Sequence, residues 1–236
     1  MIEYNSEPYN TFRINENISI HSFISEEENN IDKKTVESFG EEWEKFTEFD
    51  DREIESTGSQ YFDIINESEL NDNTVALDLG CGSGRWTRYI SKRVKFVEAI
   101  DPSNAVIHAS KLHKDLKNVR WTHAGVDTMP FRDNSFDFIL CLGVLHHIPD
   151  TKDALQQAVK KLRSGGIILL YLYYALDNRG VLYKSLFHLS TFFRKIISNL
   201  PGTAKRIICD LIAVFVYMPF VTLSRILKNF NLKTYK

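Results

Sequence analysis

Cysteine is scarce. There are three in 236 residues, Cys81, Cys141 and Cys209, far apart and without a C-x-x-C pair. That excludes a disulfide framework and a cysteine-ligated zinc, and it suits a reducing, cytoplasmic setting. The opening residues, MIEYNSEPYN, have neither the basic nor the apolar stretch of a secretion signal. Long uncharged runs are also lacking. Leu211–Val221 (LIAVFVYMPFV) has eleven residues and holds Pro219, whereas a bilayer span needs about 20, so no span is expected. No internal repeat is visible.

What is present is an ordinary globular composition, 43% hydrophobic and 25% charged, long enough for one α/β domain with additions. The net charge of −2 conceals an asymmetry. Residues 1–70 carry 19 acidic and 5 basic side chains, residues 71–180 carry 11 and 15, and residues 181–236 carry 1 and 9. An acidic head and a basic, apolar tail call for separate readings.

Four segments follow from the patterning. Residues 1–32, rich in Asn, Glu and Ser, read as a flexible arm. Residues 33–73 read as a helical lid. Val36, Phe39, Trp43 and Phe46 stand at helical spacing over 33–48, despite Gly40, and a second helix is expected over 58–70 with Tyr61, Phe62, Ile64 and Ile65 as its apolar side. Residues 74–180 alternate strand and helix signals: strands near 74–79, 95–100, 118–123, 136–142 and 166–174, helices near 85–93, 103–113 and 151–162, with Asp150 as the cap of the last. Such alternation implies a parallel sheet with right-handed crossovers, and the continuous apolar runs imply strands covered on both faces. Residues 181–236 read as two to four helices broken at Pro201 and Pro219.

The first strand of the α/β part ends in Asp78 and runs into Gly80-Cys81-Gly82-Ser83-Gly84. Alternate glycines let the chain turn tightly and let a ligand approach the backbone. The spacing is G-x-G-x-G. A dinucleotide fingerprint would need its third glycine where Arg85 stands, so a dehydrogenase is disfavoured. Seventeen residues past Gly84, the second strand ends in Asp101-Pro102-Ser103. A carboxylate there suits a pair of ribose hydroxyls.

The glycine loop, Asp101, Met129–Asp150 (MPFRDNSFDFILCLGVLHHIPD) and Leu162–Leu170 (LRSGGIILL) together resemble the class I S-adenosylmethionine-dependent methyltransferases, in particular the type 11 group. The resemblance covers roughly residues 74–174. It implies a Rossmann-like, three-layer α/β/α fold, here without the last strand pair and with a helical C-terminal extension. It implies S-adenosylmethionine as cofactor and a small-molecule methyl acceptor such as a sugar, a lipid-linked precursor or a secondary metabolite. By the same resemblance, Asp78 organises the methionine amino group, and Gly80, Cys81, Gly82 and Gly84 pass along methionine and ribose. Asp101 takes the ribose hydroxyls, Pro102 and Ser103 approach the adenine, and Gly125 and Val126 meet its ring. Leu142 and Gly143 line the methyl side. Relatives often have an acidic residue where Gly125 stands; Asp127 lies two residues further on.

His146 and His147 follow the fourth strand and are the candidate bases, since a histidine titrates near neutrality. Their alternative role is capping and packing. No metal is expected, because no carboxylate and histidine spacing surrounds them. Phe39 and Trp43 read either as a lid or as packing, and Arg85 as a contact for the cofactor carboxylate. For the tail, a cap over the acceptor pocket and a peripheral contact with a membrane surface both stand open. Nucleic acid is set aside, because the basic residues are separated by large apolar ones and the whole chain is slightly acidic. The alternatives to an enzyme are a truncated, non-catalytic binder of the same cofactor and a membrane-associated scaffold.

Overall fold

The computed structural model describes residues 2–15, 18–25, 30–43, 50–173 and 176–229. Phe46 and Tyr174 of the readings above lie outside the described residues. The chain divides into two compact units, Met1–Tyr173 and Tyr174–Lys236.

The first unit is built on one seven-stranded sheet. Its strands are β1 (Asn10–Arg13), β2 (Ser19–Ser22), β3 (Val75–Leu79), β4 (Phe96–Asp101), β5 (Val119–His123), β6 (Phe136–Leu142) and β7 (Leu162–Tyr171). They lie in the order β1-β2-β5-β4-β3-β6-β7, all parallel except the antiparallel β1–β2 pair. The helices are α1 (Lys33–Trp43), α2 (Asp51–Tyr61), α3 (Arg85–Ser91), α4 (Ala105–Leu112) and α5 (Thr151–Lys161). Asp150 caps α5 as expected, its side chain accepting from the Asp153 amide at 2.9 Å.

The two faces of the sheet follow the strand period of two. Leu77, Leu79, Ile139 and Cys141 face Ala154 and Ala158 of α5. Ala76, Phe138 and Leu140 face Ile90 of α3 and Ile54 of α2. Ala99 meets Val106 and Ala109 of α4. This is a Rossmann-like α/β fold of three layers. Strand order reverses between β3 and β6, and the loops after β3 and β4 open at that reversal, where open α/β sheets take their ligands.

Two expectations are corrected here. Within the arm, Asn10–Arg13 and Ser19–Ser22 are strands that extend the sheet, with His21 beside Thr122 and Ser22 beside His123. A buried cluster holds it. Glu98 on β4 is fully buried and accepts from Arg120 Nε and from Thr122 Oγ1. Arg120 also donates to the Ile2 carbonyl and stacks on the Tyr4 ring. The second helix begins at Asp51 rather than near residue 58 and ends at Tyr61. It docks through charge, Asp51 to Arg88 and Glu55 to Arg93, and buries only Ile54 and Gly58. β7 is an edge strand, and no strand follows it among the described residues.

The second unit is helical: α6 (Val181–Ser198), α7 (Gly202–Ile212), a π turn over Ala213–Tyr217, and α8 (Met218–Asn229). Pro201 precedes α7 as its cap residue. Pro219 was expected to break the chain, but the helix runs through it. A π turn stands just before it, where the Met218 amide donates to the Ala213 carbonyl five residues back. Gly202–Ile226 is therefore a continuous helical stretch of 25 residues, with a mean hydropathy of 2.1 in its most apolar window and none of that window buried. By length and composition it can cross a membrane. The expectation of no span rested on an uncharged run of eleven residues and on a break at Pro219; the run stands, and the break does not.

Candidate functional site

The loop after β3 turns through three glycines with positive φ, Gly80 (80°), Gly82 (52°) and Gly84 (81°). The Gly80 and Cys81 amides both donate to the Ile100 carbonyl at 2.9 Å, which ties the loop to the end of β4. A Cβ on Gly80 would strike the Val144 side chain, and one on Gly82 would come within 3.1 Å of the Trp43 indole nitrogen. Gly84 serves the scaffold instead, packed under His113 and Trp121. His113 Nε2 donates to the Ser83 carbonyl at 2.9 Å, and burial holds its pKa below the usual value, so the neutral ring does the holding.

Asp101 closes the loop from β4. Its Oδ2 accepts from the Gly82 amide at 2.9 Å, and its Oδ1 accepts from the Ser103 amide at 2.9 Å and the Ser103 hydroxyl at 2.6 Å. Three donors leave acceptor capacity on this carboxylate. Burial raises its pKa, against those hydrogen bonds. Asp78 lies behind the loop, 2% exposed, and accepts from Thr87 Oγ1 at 2.6 Å. Burial above all, and then the Asp101 charge, push its pKa up to about 7. Beside Asp101, His123 Nε2 donates to the Pro102 carbonyl at 3.0 Å.

These parts surround a cavity of about 220 Å³. Of the residues expected in a site, Gly80, Cys81, Gly82, Asp101, Pro102, Ser103, Gly125, Val126, Leu142, Gly143 and His147 line it. Phe39, Trp43 and Arg85 line it too. Asp78, Gly84 and His146 do not reach the lining. An added Cβ at Gly143 would meet nothing within 4 Å, so the backbone there borders open space. Asp127 is in the wall, where its Oδ2 accepts from the Asn30 amide at 3.1 Å.

α1 forms the outer wall. Gly40, which weakens the helix signal in the sequence, is what lets α1 approach: a Cβ there would stand 3.2 Å from Ser103 Cβ. Phe39 meets the His147 ring edge to face at 4.9 Å. His146 stands behind His147, stacked on Tyr173 at 4.0 Å, with both ring nitrogens buried and without a hydrogen-bond partner among the described residues. Burial, then His147, lowers its pKa, which favours the neutral ring at pH 7. Among the described residues, no group of three or more His, Cys, Asp and Glu is arranged to hold a metal ion.

Sequence reasoning missed Asn30, Thr87 and His113. Thr87 had a signal, since it stands in the first turn of α3 facing back toward β3. Asn30 had none. It crosses 120 residues to bridge the Asp150 backbone, donating to its carbonyl at 3.0 Å and accepting from its amide at 2.7 Å.

Residues 77–170 match the family model described as "Methyltransferase domain". A demethylmenaquinone methyltransferase of Staphylococcus aureus (strain JH9) is 32% identical over 110 residues, 45% of this chain and 46% of that protein. The chain spans about half the length of the curated relatives it matches. The crystal structure of YcgJ from Bacillus subtilis superposes on 57% of this chain and 57% of its own, with 29% identity and a TM-score of 0.48. A SAM-dependent methyltransferase from Aquifex aeolicus covers 49% of this chain and 69% of its own, with 27% identity and a TM-score of 0.38.

Proposed function

We propose, on the premise that residues 77–170 belong to the methyltransferase domain family, that this protein transfers the methyl group of S-adenosylmethionine to a small-molecule acceptor. The observation that carries the reading is the pairing of Asp101 with the Gly80–Gly82 turn at the reversal of strand order. The residues present fit the cofactor. The cradle is backbone that no Cβ would spare, and it sits beside a buried carboxylate with acceptor capacity left and an open apolar wall at Leu142 and Gly143. S-adenosylmethionine supplies a methyl group already activated by its sulfonium.

The chain's own work is then to bind, orient and exclude water. Asp101 accepts from the ribose hydroxyls. Asp78, once ionised, favours the methionine ammonium from behind the loop. Gly125 and Val126 meet the adenine ring, with Pro102 and Ser103 beside it; Asp127, in the same wall, accepts from the Asn30 amide. Phe39 and Trp43 shut out solvent. Where the acceptor must lose a proton, His147 takes it, with neutral His146 stacked behind as its support. A sugar, a lipid-linked precursor or a secondary metabolite is the acceptor class this reading favours.

Titration calorimetry with S-adenosylhomocysteine tests the cofactor site. Charge-assisted bonds of about 1.5–3 kcal/mol each imply a loss of roughly tenfold or more in affinity for Asp101→Ala. Equal affinity in parent and variant contradicts the assignment. Incubating the full chain with methyl-labelled donor and a cell extract should place label in the small-molecule fraction, and label confined to macromolecules would contradict the acceptor class.

A further inference from the structure

We propose that the helical unit is seated in a lipid bilayer, with the helix Gly202–Ile226 inserted in the hydrocarbon layer and α6 lying along its surface. Ile207–Ser224 contains a single charge, Asp210, and is bounded by Lys205-Arg206 and Arg225. Eighteen residues at about 1.5 Å each give roughly 27 Å, close to the roughly 30 Å of a hydrocarbon core. The flanking cations fall at headgroup depth on both sides. Asp210 lies one turn inside, four residues from Arg206, where an interfacial pair is in reach.

Leu211–Val221 has no charged side chain, so its apolar surface is not confined to a stripe, whereas the turns of α7 and α8 beyond it are amphipathic. Val214, Phe215, Tyr217, Phe220 and Leu223 are spread through this stretch and the turn after it. All five are at least half exposed. A protein partner covers one face of a helix, whereas this central stretch is apolar all round, which matches lipid. α6 has a polar side along its whole length. Leu182, Leu186, Leu189, Phe193 and Ile196 share one side, and Lys184 and Lys195 lie opposite, the pattern of a helix at an anionic surface. Residues 181–236 carry nine basic side chains and one acidic, which complements anionic headgroups.

This proposal is independent of the catalytic reading. Flotation of the full chain with vesicles of phosphatidylcholine and phosphatidylglycerol tests it. The chain should rise with the vesicles and stay with them through molar salt and alkaline carbonate. The pair Phe215→Lys and Phe220→Lys should lower the floated fraction roughly tenfold or more, since a cation is costly at that depth, with the thermal unfolding of the first unit unchanged. Three results would overturn it: a chain that stays at the bottom of the gradient, including one that forms a discrete homo-oligomer without lipid; release by salt alone; and a variant that floats like the parent.

Discussion

Single residues set the shape of the crevice. Gly80 combines a left-handed backbone with a neighbour, Val144, that occupies the place of a side chain. Gly80→Ala should therefore destabilise the protein by about 1–3 kcal/mol, measured by urea unfolding. Asp78 makes a second prediction. Its folded pKa of about 7 lies above the ordinary value of 3.8. The native state thus holds the proton more tightly, so this contribution to stability is full at low pH and is lost as pH rises from about 4 to about 7. Replacing it by asparagine removes the titration, so thermal midpoints of Asp78→Asn should fall less than those of the parent across that interval. Parallel pH curves for the two would contradict the burial of this carboxylate. That Asp101, Gly80 and Gly82 gather at one crevice was legible in the sequence because such a turn admits few residue types; Asp78 and Gly84 were read with them and stand behind the lining. Thr87 and His113, which hold that turn, belong to residue types found anywhere in a fold.

At the scale of elements, local pattern predicted what local forces build. β3 to β7 and α3 to α5 fell near their expected places because each buries a continuous apolar face. α1 was legible from its aromatic spacing. The first two strands were not, since each has four residues and their place in the sheet depends on β5, about a hundred positions away. α2 was misplaced for another reason. Its attachment to α3 is partly ionic, and Ile54 and Gly58, its buried residues, offer too little apolar surface to mark a period. The buried Glu98 and Arg120 pair ties the arm to the sheet. Arg120→Met should cost about 3–5 kcal/mol, because it leaves a carboxylate buried without its cation. Urea unfolding measures the loss, and accelerated amide exchange in β1 and β2 would locate it. A variant as stable as the parent would show that the pair is dispensable.

The whole molecule joins a compact α/β unit to a helical unit of opposite surface character. The first buries its apolar residues and gathers acidic and small residues around one crevice. The second displays apolar residues on nearly every side. Sequence reading separated the two by charge and composition but missed the continuous helix, because a π turn that carries a helix through Pro219 has no residue signature. Crystals soaked with S-adenosylhomocysteine give the most direct measurement of the central claim. Density should show the ribose on the Asp101 carboxylate and the nucleoside against the Gly80–Gly82 turn. A fully occupied ligand bound elsewhere, with the crevice filled by the protein's own side chains, would contradict it.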